Sequence, residues 1–294
     1  MPFLFKILFV VFPVFTIIGL GYLFASYKKI SLEPIIEVLL YLTIPALVLS
    51  SLSKKRLVMD DLAIVALSAC IVVAGTGIIS YVYLSAIKRR DLKGFYLPAM
   101  FMNSGNMSFP LALLAFGMEG LTVAVLYYIA ISFLVYSLGI YIAKGKGGFS
   151  EIFKLPLIYA SVAGIAMNLA DVRFPEPVVT TFDMLGAATI PLMQVSLGYR
   201  LRSAHLSHPG VSMAGSAIRI GGGFLIAYLL VTLLGIEGLN GKIIILSSAM
   251  PSAVINFVVS HRYNLNSDLV ASIVATSTIM SVVTTPLVLM LIMR

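Results

Sequence analysis

Two short stretches carry the residues best suited to chemistry. One reads Asn103-Ser104-Gly105-Asn106-Met107-Ser108-Phe109-Pro110, the other Met250-Pro251-Ser252-Ala253-Val254-Ile255-Asn256. Both combine side-chain amides with helix breakers inside long apolar runs. Proline lacks the backbone donor and clashes with the preceding turn, and Gly105 loosens the chain further. A helix broken at membrane depth leaves backbone groups unpaired, which is tolerated only inside protein or around a wet cavity. The N-terminal ends of the resumed helices present N–H groups and a positive dipole, a setting suited to an anion. Asn103, Asn106 and Asn256 add neutral donors and acceptors. The chemistry these residues suggest is recognition of a small anion, with Asn103, Asn106, Pro110, Pro251 and Asn256 as the candidate binding set. A packing kink is the competing reading for either stretch alone.

Charged residues inside apolar spans form the second group. Arg219 lies well inside one span, and Glu37 and Asp183 lie near the starts of two others. Intramembrane charges are rare and usually functional. Arg219 can meet a substrate carboxylate, or pair with Asp183 or Glu37 for structure. Glu37 and Asp183 can carry a coupling proton, because burial raises a carboxylate pKa, or can simply favour the N-terminal helix dipole. Glu119 and Asp268 are read as acids at helix starts, and Thr43 and Thr189 as hydroxyls bonding back to their own helices.

The elements that hold these residues are membrane-spanning helices. Of 294 residues, 60% are hydrophobic and 11% charged, against about 25% charged in a soluble domain. The mean hydropathy is +1.05. Such a chain lacks the polar skin of a soluble protein, which excludes a soluble enzyme, a disordered chain and a nucleic-acid binder. Ten apolar runs are long enough to cross a bilayer: 3–25, 34–52, 62–87, 95–117, 121–142, 154–171, 178–199, 210–235, 242–261 and 268–293. The Gly/Lys-rich 143–153 segment separates a first five-helix unit, 1–142, from a second, 154–294. The fold expected is therefore all-α and integral to the membrane.

Alternate loops differ in charge. Lys28, Lys29, Lys88, Arg89, Arg90, Lys93, Lys144, Lys146, Lys154, Arg200, Arg202 and Arg262 fall on one side. Lys6, Lys54, Lys55, Arg56, Arg173, Lys242 and Arg294 fall on the other. The richer side is expected to be cytoplasmic, which puts both termini outside a cell membrane that the chain crosses many times. The net charge of +8 is thus a topology signal.

The two halves resemble each other. Glu33-Pro34 precedes Thr43-Ile44-Pro45, and Glu176-Pro177 precedes Thr189-Ile190-Pro191, the triplets being 146 residues apart. At that offset Glu37 falls on Asp183. Leu92-Lys93-Gly94 and Leu239-Asn240-Gly241 open the spans that contain Pro110 and Pro251. Five spans per copy is odd, so the second copy enters the bilayer inverted. Inverted repeats with breaks at matching positions mark secondary transporters.

The Asn103–Pro110 stretch, the Phe116-Gly117-x-x-Gly120-Leu121 turn, the Met250-Pro251 break and Tyr263-Asn264-x-x-x-Asp268-Leu269, with Thr278 and Pro286 after it, resemble the auxin efflux carrier family. The resemblance covers nearly the whole chain. It implies ten helices in two inverted repeats, broken fourth helices that cross near the midplane, and a transport domain sliding against a scaffold in elevator fashion. Its substrate site would centre on Asn103, Pro110, Pro251 and Asn256, although plant members tend to carry a second proline where this chain has Asn256. The short 143–151 connection suits a prokaryotic permease.

The functional expectation is a secondary carrier or uniporter of small organic anions, dicarboxylate or auxin-like. A proton is favoured over sodium as coupling ion, since no pair of carboxylates marks the crossing. A ligand-sensing receptor on the same fold is the alternative class. No G-x-S-x-G or H-E-x-x-H motif is present, so no enzyme is expected. No cofactor or metal is expected from one cysteine, Cys70, and three scattered histidines (His205, His208, His261); the 14 Met read as apolar filler. Membrane lipid and a second copy of the chain are the other partners considered. Gly19, Gly21 and Ala25, and Gly215 with Gly221–Gly223, are read as sites of close helix contact.

Overall fold

The structure, a computed structural model, describes residues 3–54, 56–145, 149–202 and 206–293. Lys55, Lys146, Gly147, Gly148, His205 and Arg294, which entered the charge count, the linking segment or the histidine tally above, lie outside the described residues. Every regular element described is helical, and the one β-type contact is an isolated antiparallel bridge between Met102 and Ser252.

Seven helices among the described residues are long and apolar enough to cross a membrane: Phe3–Tyr27, Glu33–Lys54, Met59–Ala86, Ser108–Lys144, Glu176–Arg202, Pro209–Leu233 and Ser267–Ile292. The remaining expected spans take other forms. Span 6 is the shorter helix Pro156–Leu169. Span 9 is two pieces, Gly238–Ser248 and Ile255–Arg262. Span 4 begins with the five-residue helix Tyr96–Met100, breaks, and resumes at Ser108. From there helix continues into span 5, and the run to Lys144 holds 37 residues. At 1.5 Å per residue that is about 55 Å, nearly twice a hydrocarbon core. Gly117 resolves the excess. Its φ of 70° and ψ of −163° interrupt the helix, in a region that only glycine reaches without strain. The segments before and after it are thus two helices joined by one residue.

The packing is that of a protein in lipid. The outer face of the first helix exposes Leu4, Phe5, Phe9 and Phe12, while Ile7, Val10, Val14 and Ile18 turn inward. Its inner face meets Thr189–Arg202 backbone to backbone. A β-carbon at Gly198 would lie 1.9 Å from the Ile18 carbonyl oxygen, and one at Gly21 would lie 2.3 Å from that of Val195. Small residues permit this approach where the hydrophobic effect cannot drive association. Gly19 meets nothing, so the close contact expected of it belongs to Gly21 and to Gly198. Several buried hydroxyls are satisfied within their own helices, as with Thr76 Oγ1 on the Val72 carbonyl (2.8 Å) and Ser80 Oγ on that of Thr76 (2.7 Å).

Three π-type stretches widen the helices, at Leu39–Thr43, Val135–Gly139 and Ile218–Gly222. Such bulges often accompany functional positions. The first alters the reading of Thr43: the wide turns displace the carbonyl that its hydroxyl would reach. Thr189 follows the junction at Ala188 between the helical stretches Glu176–Ala187 and Thr189–Arg202. Both hydroxyls are buried without a partner among the described residues, so the expected back-bonds do not form.

Candidate functional site

The two breaks lie against each other. The Asn103 N–H donates to the Pro251 carbonyl at 2.7 Å, and the Ala253 N–H donates to the Phe101 carbonyl at 3.1 Å. Together they form the Met102–Ser252 bridge. Extended backbone thus meets extended backbone, and groups freed by one break satisfy groups freed by the other. Side chains complete the junction. Asn256 Nδ2 donates to the Phe101 carbonyl (2.9 Å) and to Ser252 Oγ (3.0 Å). Ser108 Oγ bonds Ser247 Oγ at 2.7 Å, and the Tyr127 hydroxyl bonds Ser248 Oγ at 2.7 Å.

A cavity of about 150 Å³ lies beside the crossing. Asn103, Ser104, Gly105 and Asn106 form one wall, and Ala253, Val254, Ile255 and Val258 another. Ile255 opens the resumed helix Ile255–Arg262, so the positive end of that helix borders the space. Apolar side chains from three other helices close it, among them Ile36, Leu40, Ile131 and Leu197, with the rings of Tyr128 and Tyr136. Gly105 sits where a β-carbon would press on the end of Met193 (2.8 Å) and on the Tyr128 ring (3.1 Å). That position lets the tip of the break pack closely.

Polar groups at this cavity are incompletely matched. The Asn103 side chain is 3% exposed. Its Oδ1 accepts from the Asn106 N–H at 3.2 Å, but its Nδ2 has no partner among the described residues. The hydroxyl of Ser196, on the opposite wall, is likewise buried and unmatched. Each such orphan costs about 1–3 kcal/mol, an outlay that proteins keep where a ligand will meet the group. Asn106 Nδ2 reaches the Met193 carbonyl at 3.4 Å. Arg200 also lines the cavity, and among the described residues it is the one cationic side chain on its wall.

The sequence-based candidates therefore divide. Asn103 and Asn106 border the cavity. Asn256 does not; it braces the junction behind it. Pro251 supplies a backbone carbonyl to the junction. Pro110 is the third residue of the helix that resumes at Ser108, where an N–H would have no helical partner in any case, so it starts a helix and does not break one.

The charged candidates do not pair as considered. Asp183 accepts from Ser50 Oγ and lies 2.7 Å from Lys54 Nζ, in a half-exposed bridge well away from Arg219. Glu37 is exposed. Arg219 is fully buried and bonds three backbone carbonyls: Ala99 (3.2 Å), Met100 (2.5 Å) and Ser248 (2.8 Å). It is not among the residues that line the cavity, so the substrate-carboxylate reading does not fit its position. The reason is local. Ala99, Met100 and Ser248 end two half-helices, whose last carbonyls lack helical partners and carry the negative dipole end. A cation at that point is better placed there than beside a distant carboxylate.

Residues that sequence reasoning missed include Arg200, Tyr128, Tyr136 and Ser196, whereas the close contact expected at Gly223 is present. Arg200 was counted as a loop charge because it falls near the end of its span. The structure places it in the last turn of Thr189–Arg202 and on the cavity wall. The tyrosines and Ser196 carry no motif; nothing short of the fold brings them to the breaks.

A family model described as membrane transport protein matches residues 6–154 and 148–289. An uncharacterized transporter from Methanothermobacter thermautotrophicus is 31% identical over 267 residues, which is 85% of this chain and 86% of that protein. An uncharacterized transporter from Methanocaldococcus jannaschii is 26% identical over 294 residues, 92% of this chain and 94% of that one. Together with the apolar helices, these matches make the chain a multi-pass membrane protein, and it belongs to the membrane transport protein family, that of the auxin efflux carriers.

Proposed function

We propose that this protein is a secondary carrier of small organic anions. The observation that carries the reading is the cavity beside the crossing. There the unmatched amide of Asn103, the N-terminal end of the Ile255–Arg262 helix and Arg200 converge in otherwise apolar walls. The polar groups suit one carboxylate, and the apolar walls with two tyrosine rings suit the body of the acid. A volume near 150 Å³ is below the roughly 300–1,000 Å³ of drug-sized sites, which favours a small acid with a single carboxylate over a larger dianion.

The reading extends to mechanism. Ten membrane passes arise if the 95–117 and 242–261 runs cross as broken helices and Gly117 separates the fourth pass from the fifth. They divide into two inverted five-helix repeats, 1–142 and 154–294, joined by 143–153. The crossing moves as part of a transport unit against a scaffold, exposing the cavity to one side and then the other. Both termini lie outside the cytoplasm. A uniporter driven by voltage gains about 2.3 kcal/mol per charge per 100 mV, enough to expel an anion from a negative interior. A proton is the coupling ion favoured where uptake is concentrative. Asp183, held by Lys54, and exposed Glu37 are placed poorly for that task, so a coupling proton would travel with the acid itself.

Uptake into proteoliposomes tests the reading. A panel of mono- and dicarboxylic acids is offered under imposed pH, sodium and voltage gradients in turn. Saturable flux of a monocarboxylate is the expected result. Binding by thermal shift without flux under any gradient would make the protein a receptor, and neither binding nor flux would remove the anion assignment.

A further inference from the structure

The three oxygens around Arg219 are an unusual set. Those of Ala99 and Met100 end one half-helix, and that of Ser248 ends the other, so the negative ends of both broken helices point at one place. In broken-helix carriers, carbonyls at such ends commonly coordinate sodium. Here the place is filled by a guanidinium. Its planar fork reaches both half-helices, with Nη1 on the carbonyls of one and Nη2 on that of the other. No ion pair is found for it among the described residues, so its charge answers only the carbonyls. The chain also clears room for it: a β-carbon at Gly223 would lie 2.0 Å from Arg219 Nη2 and 2.3 Å from the Ser248 oxygen. The π-type stretch Ile218–Gly222 sets the side chain at this angle.

We propose that Arg219 is a tethered cation that occupies the place of a coupling metal ion at the crossing, so that the carrier works without sodium. It is a positioning residue: it lies outside the cavity lining, and it holds the two half-helix ends in register so that the cavity beside the crossing keeps its shape. This rests on the carrier reading above. It predicts more than a structural strut would, because removing the side chain leaves a cage of carbonyl oxygens that a free cation can enter.

The first arm is wild-type flux with sodium replaced by choline. Unchanged flux is expected; a requirement for sodium overturns the proposal. The second arm is melting of purified Arg219→Ala in choline chloride, sodium chloride or guanidinium chloride, each at low millimolar concentration. A lowered Tm that guanidinium or sodium raises, with the wild type unmoved by either, is the expected outcome. A Tm indifferent to the cation overturns it. Flux through Arg219→Ala should be at least 10-fold higher with guanidinium or sodium than with choline, a dependence that a purely packing role would not create. Should Arg219→Ala fail to fold, Arg219→Lys and Arg219→Gln decide. Folding kept by Lys and lost with Gln supports a required charge, and the reverse overturns it. Flux with no acid at all would sink the carrier reading and leave the melting arms to judge this one.

Discussion

The crossing has two faces built from the same broken backbone, and they are finished in opposite ways. On one face, three terminal carbonyls meet Arg219 and every distance lies between 2.5 and 3.2 Å. Protein supplies the missing charge, and glycine at 223 keeps the fit tight. On the other face, the Asn103 amide and the Ser196 hydroxyl stay unmatched beside a cavity. The terminal carbonyls are met from within, although Arg219 Nε itself finds no partner among the described residues, and the Asn103 amide is left beside the cavity. The difference teaches how one structural defect yields both rigidity and a binding site: a broken helix exposes oxygens at one end and N–H groups at the other, and the fold chose which to close.

The sharpest way to break this comparison is at the sealed face. Gly223→Ala puts a methyl group within 2.3 Å of both Arg219 Nη2 and the Ser248 oxygen. It should lower stability by about 3 kcal/mol or more, the range of overpacking combined with a broken buried network. Thermal melting in detergent checks it, and a variant as stable as wild type would mean the Arg219 contacts bear no weight.

The open face should respond more in function than in stability. Asn103→Ala removes the unmatched donor, and flux should fall by about 10- to 100-fold, the equivalent of a charge-assisted hydrogen bond of roughly 1.5–3 kcal/mol. Its stability should fall by only about 1 kcal/mol, because Nδ2 has no partner to strand and the one bond lost is that from the Asn106 N–H to Oδ1. Normal flux would remove Asn103 from the site. Arg200→Gln should raise KM about 10-fold, the loss of one charge-assisted contact of roughly 1.5–3 kcal/mol. Equal KM values would place substrate elsewhere.

The smallest effect belongs to a control away from both faces. Asp183→Asn weakens the bridge to Lys54, whose side chains are 35% and 38% exposed. Exposed pairs contribute about 0–1 kcal/mol, so stability should drop by no more than that. Flux and its pH dependence should be unchanged. A lost pH gradient dependence would instead return the coupling role to Asp183.

Much of this was legible along the chain. Apolar runs bounded by charge announced a membrane protein, because a bilayer span is a local property of about 20 residues. The polar stretches at 103–110 and 250–256 announced the breaks for the same reason. The roles within them were less legible. Pro110 and Asn256 looked equivalent to Asn103 as neighbours in polar segments. Yet one starts a helix, one braces backbone, and only Asn103 borders the cavity with Asn106.

What the sequence by itself determined is therefore the class: helices in lipid, two of them broken, in a family of transporters. What only tertiary structure decided is which groups meet. Asn103 finds the Pro251 carbonyl 148 positions away, Arg219 finds Ala99 and Ser248, and Arg200 finds the cavity. The physical reason is range. Hydropathy and helix breaking act over a turn or two of chain, whereas the pairing of unsatisfied donors and acceptors depends on packing helices whose partners no local signal names.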